Sequence, residues 1–481
     1  MTTSTSPKRS APLWLVIIAA ALPMFMATLD NLVVTNALPV LAADLGASIE
    51  QLQWFINAYA LAFASLILMA VALGDRFGRR RMFTAGLVVF TAASALCALA
   101  NSPEQLIAAR IIQGAGAAAV MPLSLAILAG SVAPRLRPVA IGIWGGVAGL
   151  GVAVGPLIGG AVVQGLSWHA IFWLNVPVGL LALPLIQVAL REARGDRVPL
   201  DGVGLVFGIA AVFGIVFGIV RGNDSGWTSA PVLLGLVGGG ALLLAFLAWE
   251  ARHRAPLLRL GLFRDRSFTM ANVVAMTFSF GIFGAIFILV QFLQVVQGDS
   301  PLEAGVKTMP WTMAPLVVAP IAGVVAPRVG TRLLIVAGLA AQTLGLAWIA
   351  VVLADDTSYA VFVTGFVLCG VGMGLVFAPV ATAVLAAMRP EDHAKASGTN
   401  STVREIGVAL GIAVLAAVFT GQGGEFSPTD YSDAAQPALF VGVAALVLAT
   451  AFAFLLPPGR GVGGHVEAPP ADDAELKPVR V

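Results

Sequence analysis

The sequence predicts an all-α membrane protein with fourteen transmembrane helices, arranged as two six-helix bundles plus two linker helices. Three observations predict this. First, 59% of the 481 residues are hydrophobic and only 11% are charged. Soluble domains carry roughly 25% charged residues, and a soluble chain of this length would have to hide more apolar side chain than its volume allows. Second, the apolar residues fall into fourteen runs, each close to the ~20 residues a helix needs to cross a bilayer. Third, Lys and Arg gather in alternate loops, as membrane topology requires.

The first run, 13–38, follows a polar stretch containing Lys8 and Arg9. It is too long for a signal-peptide core and has no small-residue cleavage site, so it stays as a helix. Runs at 52–73, 82–100, 105–131, 139–163 and 171–190 complete a first set of six. A charged connection, Arg191 to Asp201, precedes the pair 202–220 and 231–249, and the Arg-rich stretch Glu250 to Ser267 follows it. Runs at 268–296, 305–326, 333–354, 361–388, 396–419 and 438–456 form the last six. The 53 glycines and 28 prolines suit membrane helices, whose neighbours re-satisfy the backbone groups such residues free. The expected units are a tail at 1–12, bundles at 13–194 and 263–458 around a two-helix insert and linker at 195–262, and a disordered tail at 459–481 rich in Pro, Gly and Asp.

An even number of spans puts both tails on one side. Tails and even-numbered loops together hold 23 of the 27 Lys and Arg; odd-numbered loops hold only Arg221 and Lys307, while Arg110 and Arg404 fall within runs. The odd loops carry acids instead, among them Asp44, Glu50, Asp299 and Glu303. The positive-inside rule therefore predicts a multi-pass protein of the cell (inner or plasma) membrane with both termini cytoplasmic.

Composition also excludes. A net charge of +2, with no basic, aromatic-interleaved stretch, argues against nucleic acid as a partner. Nucleotide-binding loops, Ser/His/Asp sets and metal-ligand spacings are missing, so no enzyme, metal or cofactor is expected, and energy comes from an ion gradient. Cys97 and Cys369 sit inside apolar runs and read as small core residues.

Asp30 stands alone in the first run. A carboxylate at membrane depth costs several kcal/mol unless paired or hydrated, so it marks a functional site. Arg110 in the fourth run cannot shed its charge and needs an acidic partner or a polar cavity. With ~1.5 Å rise per residue, Arg110 and Asp30 lie at similar depths, roughly 10 and 13 Å below the outer ends of their helices. Glu405 is a second buried carboxylate beside Arg404, read either as a further protonation or cation site or as a structural ion pair. Asn31, Gln113, Gln291, Gln294, Asn400 and Arg404 are candidates to line a cavity.

The loops after the second and tenth runs read GDRFGRR at 74–80 and GVVAPRVGTR at 323–332. Arg, Gly and Arg recur 252 residues apart, a sign of two related halves, although two basic turns can also arise independently.

Five stretches together resemble the fourteen-helix drug:proton antiporters of the major facilitator superfamily, over nearly the whole chain. LDNLVVTNALP at 29–39 resembles the helix-1 motif, with Leu32 in the usual place of a threonine. The loop with Asp75, Arg76, Gly78 and Arg79 resembles the cytoplasmic gating motif, in which the Asp caps a helix or pairs with an arginine of the other bundle. RIIQGAG at 110–116 resembles the motif whose arginine influences proton transfer. GVAGLGVAVGPLIGG at 146–160 resembles the antiporter motif of exporters, with Gly151, Gly155, Pro156, Gly159 and Gly160 in place. WHAIFWLNVPVG at 168–179, QVVQG at 294–298, SPLEAG at 300–305 and NSTVREIG at 400–407 are similar to the fourteen-helix branch, which usually has Gln at Glu405.

The resemblance implies alternating access in a monomer within the lipid bilayer. Protons entering at Asp30, with Arg110 and Glu405 in support, would drive export of lipophilic, often cationic, small molecules. A dedicated exporter of one natural product or lipid-like metabolite shares that mechanism. A nutrient–proton symporter conflicts with the helix-5 motif, and a receptor or channel has no need of two homologous halves.

Overall fold

Helices begin where a capping residue meets an apolar run. Ser48 and Ser300 each accept from a backbone N–H three residues on, and the Gln51 and Glu303 side chains return the bond. Asp201 and Asp265 cap in the same way, accepting from Gly204 and Phe268 N–H at 2.8 Å. Each cap satisfies an orphan donor that a helix start otherwise leaves bare.

The structure is a computed structural model and describes residues 11–133, 136–194, 201–254, 256–386, 388, 393–425, 427 and 431–458. The expected tails, apart from residues 11 and 12, lie outside the described residues, as does the Asn31 side chain. The helices are α1 (Leu13–Leu45), α2 (Ile49–Phe77), α3 (Arg79–Ala98), α4 (Pro103–Ser131), α5 (Arg137–Gly165), α6 (Trp168–Ala189) and α7 (Gly202–Ser225). They continue with α8 (Ala230–Glu250), α9 (Arg266–Val295), α10 (Pro301–Val329), α11 (Thr331–Val352), α12 (Tyr359–Ala386), α13 (His393–Gly421) and α14 (Tyr431–Phe454).

Among the described residues, twelve helices are long and apolar enough to cross a membrane. α2 makes thirteen when its two arms, bent by 47°, count as one span. The expected run at 139–163 falls on α5, where many side chains lie outside the described residues and Val154–Gly165 is the apolar helix left to count. Twelve to thirteen spans thus stand where fourteen were expected. No strand occurs among the described residues. The protein is an all-α, multi-pass membrane protein.

The helices pack as two groups. In one, α1 lies on α5, α4 and α6, while α2 and α3 lie on α4; in the other, α9 lies on α13 and α14, α11 on α12 and α14, and α10 on α12. Two seams join the groups, α5 against α10 and α2 against α13.

The α5–α10 seam is shut at the face that holds the odd-numbered loops. Asn36 Nδ2 donates to the carbonyls of Pro156 at 3.0 Å and Pro301 at 2.8 Å, and Gln294 Nε2 donates to the Asn36 carbonyl at 2.9 Å. Gly160 abuts the Pro301 carbonyl so closely that any Cβ there would overlap it. Gly160→Val is expected to push the two backbones apart and destabilise the fold by ~1–3 kcal/mol, the usual range for overpacking. Thermal unfolding of the detergent-purified variant checks this.

The α2–α13 seam carries α7 on its outer side. Trp54 and Leu61 of α2, Val216 and Val220 of α7, and Ala409 and Ala413 of α13 form one apolar cluster. Arg221 Nε pairs with Glu50 at 3.0 Å, and Asn223 donates to the Ala417 carbonyl and to Thr420 Oγ1. The insert therefore touches both groups, while α8 packs chiefly on α7. Arg221 is largely exposed, so Arg221→Ala is expected to lower stability by no more than ~1 kcal/mol; the same unfolding assay reads it.

The repeat suspected from the loops has a structural counterpart. Gly78 (φ 117°) ends α2 and starts α3; Gly330 (φ 86°) ends α10 and starts α11. Both lie in the left-handed region that favours glycine. Their separation is 252 residues, the same as that between the capping residues Ser48 and Ser300.

Candidate functional site

A break in α6 sets up the polar centre of the first group. Pro177 has no N–H to bond the Trp173 carbonyl, and the helix is interrupted at Leu174 before resuming at Asn175. The interruption leaves Asn175 buried and facing α1. Pro177 costs nothing further, because the first turn of a helix has no use for that donor.

Asp30 is 3% exposed and Arg110 fully buried. Arg110 Nη1 donates to Asp30 Oδ2 at 2.5 Å. The other oxygen, Oδ1, accepts from Gln113 Nε2 at 2.9 Å and Asn175 Nδ2 at 2.7 Å. Three donors thus converge on one carboxylate. Arg110 is positioned in turn by Nε donating to the Phe55 carbonyl at 2.9 Å and Nη1 donating to Gln113 Oε1 at 2.6 Å. Its guanidinium carbon lies 4.3 Å from the Tyr59 ring centre, close enough for a cation–π attraction of ~2 kcal/mol in a desolvated site. Its remaining nitrogen, Nη2, has no hydrogen-bond partner among the described residues. Ser94 Oγ, accepting from Gln113 at 2.8 Å, ties α3 into the same network.

The pair is sealed inside the first group. Gln113, Asn175 and Phe55 take up the space around the two charges, and neither lines the cavity between the groups.

The basic corner after α2 is organised locally. Asp75 pairs with Arg79 at 2.7 Å, one turn along, and with no arginine of the second group among the described residues. Arg76 lies near the Phe77 ring, 5.5 Å from its centre. Glu192, from the connection after α6, accepts from Arg80 N–H at 3.0 Å and fills the space where a Cβ on Gly78 would sit. An anion at a helix N-terminus is favoured by both the free N–H groups and the dipole.

On α5, Gly151, Gly155 and Gly159 face Phe25, Leu32 and Val33 of α1, while Gly160 turns to α10. The motif therefore serves two interfaces. Glu405 is 6% exposed, with Oε1 3.3 Å from Arg404 Nη2 and Oε2 without a partner among the described residues. Arg404 also lies 5.8 Å from the Phe377 ring centre.

Between the groups lies a small, narrow cavity. Its walls include Leu32 of α1, Pro156 of α5, Ile286 and Leu289 of α9, Trp311 of α10 and Phe366 of α12. None of the polar cavity candidates with described side chains lines it. Gln113 belongs to the Asp30 network, and Gln291 bonds its own helix at the Phe287 carbonyl. Gln294 braces Asn36, Asn400 donates to Asn272 Oδ1 at 3.1 Å, and Arg404 stays with Glu405. Asn36, a motif residue not singled out for this role, does line the cavity.

Asn175, Ser94, Tyr59, Glu192 and Trp311 escaped sequence reasoning. Asn175 carried a usable signal, a buried amide two residues before a proline; the others look like ordinary helix or loop residues. Among the described residues no group of three or more His, Cys, Asp or Glu is arranged to hold a metal.

Two helical groups therefore meet along two seams with a cavity between them. The Major Facilitator Superfamily model matches residues 20–203, 202–412 and 272–478, and the chain belongs to that superfamily. It is 36% identical over 407 residues to the multidrug resistance protein Stp of Mycobacterium tuberculosis, covering 84% of this chain and 75% of that protein. It is 33% identical over 465 residues to the tetracenomycin C resistance and export protein of Streptomyces glaucescens, covering 96% and 86%. A solved bacterial homologue of the human lysosomal transporter Spinster, inward-facing and unoccupied, superposes with a TM-score of 0.63. That match has 18% identity and covers 93% of this chain and 97% of that one, a likeness of fold alone.

Proposed function

We propose that this chain is a proton-coupled multidrug exporter of the fourteen-helix antiporter branch, working by alternating access. Residues 13–194 and 263–458 rock against each other around the cavity, with 195–262 as the insert. Both termini lie on the cytoplasmic side of the cell membrane, and a single chain suffices. The observation that carries the reading is Asp30 held by Arg110, Gln113 and Asn175 inside an apolar bundle. A proton arriving at Asp30 cancels the anion that Arg110 is bound to, so the pair loosens and the packing of α1 on α4 changes. Cargo binding on the cytoplasmic side favours release of that proton inward.

With this orientation, the odd-loop face is outer and the seam shut by Asn36 and Gly160 is the outer gate. Asp75 and Arg79, paired within their own corner, then belong to a state whose cytoplasmic side has not closed. Glu405, its Oε2 free of partners among the described residues, is a second protonation point, and Arg404 holds its charge in check.

The relatives' names support export of drugs as the activity. A pump-deficient bacterial host expressing this chain should survive higher doses of several lipophilic antibiotics, and everted vesicles should accumulate them only under an imposed proton gradient. Unchanged susceptibility, together with uptake that an uncoupler leaves intact, overturns the reading. A second reading, a dedicated exporter of one natural product, is favoured by the tetracenomycin C relative; resistance confined to one compound in the same panel selects it.

A further inference from the structure

The α5–α10 seam is built twice over from one pattern. Pro156 and Gly160 on α5, and Pro301 and Gly305 on α10, each stand one helical turn apart. A Cβ on Gly160 would overlap the Pro301 carbonyl, and a Cβ on Gly305 would overlap the Pro156 carbonyl. Each glycine thus makes room for the other helix's proline carbonyl, and the two carbonyls come to one place. There one side chain meets both: Asn36 Nδ2 of α1 donates at 3.0 Å to Pro156 and at 2.8 Å to Pro301.

The residue type matters. A primary amide carries two donor protons, a hydroxyl one and a carboxylate none, so an asparagine can serve a carbonyl in each group at once. Asn36 is 1% exposed, and α9 grips it from the second group. Gln294 Nε2 donates to the Asn36 carbonyl at 2.9 Å and lies 3.3 Å from its Oδ1. Both polar atoms of the side chain therefore bond across the seam. Water can replace such bonds at a small net cost each, so they bias the seam toward closure without locking it.

We propose that Asn36 is the latch of this seam, a positioning residue whose two amide protons set how often the odd-loop face opens. The inference rests on the alternating-access reading, in which that face is the outer gate, and it names what regulates the gate.

Leu289, buried in the wall between the groups, supplies the reporter. Leu289→Cys in the full chain is labelled with a membrane-impermeant maleimide in right-side-out and in everted vesicles, with no gradient and no cargo. The chain without that cysteine gives the background from Cys97 and Cys369. Adding Asn36→Asp, which keeps the side chain's size and loses both amide protons, should speed labelling from outside by roughly tenfold or more, the worth of two hydrogen bonds. Labelling from the cytoplasmic face should not speed up. Asn36→Ala should do the same. Unchanged labelling from outside overturns the proposal. So does an equal rise from both faces, which is what a residue that merely holds the fold together would give. Should both variants fail to reach the membrane, Gln294→Ala decides in their place on the same two readings. Gradient-driven efflux of the wild type is read separately. Latch behaviour without coupled efflux sinks the export reading and leaves the latch standing, and coupled efflux with unchanged labelling does the reverse.

Discussion

Asp30→Asn should reduce gradient-driven efflux to the level of empty vesicles, a drop of ~100-fold or more, while cargo binding persists. The geometry gives the reason. An aspartate offers acceptors on both oxygens, and here one faces two amide donors and the other faces Arg110. An asparagine has one oxygen and one NH2. Its better orientation keeps the oxygen on Gln113 and Asn175 and turns the NH2 toward Arg110, donor against donor. The variant thus imitates a permanently protonated acid and releases the guanidinium. A coupling step whose barrier rises by ~3 kcal/mol, the scale of one lost buried ionic interaction, slows ~100-fold. Proteoliposomes with an imposed proton gradient measure it; coupled efflux at the wild-type rate would remove Asp30 from the mechanism.

Arg110→Ala should be the most damaging single change to stability, at ~3–5 kcal/mol. It strands the Asp30 anion with two amide donors and empties the space beneath Tyr59, where the guanidinium now lies 4.3 Å from the ring centre. Pairing it with Asp30→Asn removes the stranded charge, so the double variant should recover a large part of the loss without recovering transport. A double-mutant cycle on thermal unfolding reports that coupling. Additive losses would mean that the two side chains do not depend on each other in the folded protein.

Much of this architecture was legible in the sequence because bilayer thickness and backbone hydrogen bonding leave few options. Apolar runs of the right length located the helices, and the Arg-Gly-Arg repeat pointed to the corner where Gly78 and Gly330 take up matching left-handed turns. Asp30 and Arg110, at similar depths in their helices, were candidates to meet, and the structure pairs them. What stayed hidden depended on which way each side chain turns. Helical periodicity does not say that Gln113 and Asn175 close around Asp30 and wall it off, or that Gln291 satisfies its amide on its own helix. Glu192 was invisible for another reason. It comes from a connection more than a hundred residues away in sequence from the corner it caps, and nothing in its neighbourhood advertises the contact.

The insert α7 is fastened to both halves at once. On α2 it holds by the Arg221–Glu50 pair and by Trp54, whose ring centre lies 5.6 Å from that of Phe213 and 6.5 Å from that of Phe217. On α13 it holds by Asn223, half-buried and donating to both Ala417 and Thr420, two hydrogen bonds of ~1 kcal/mol each. The proposed rocking therefore has to deform α7 or part it from one of the two halves, which makes the insert a restraint on how far they can separate.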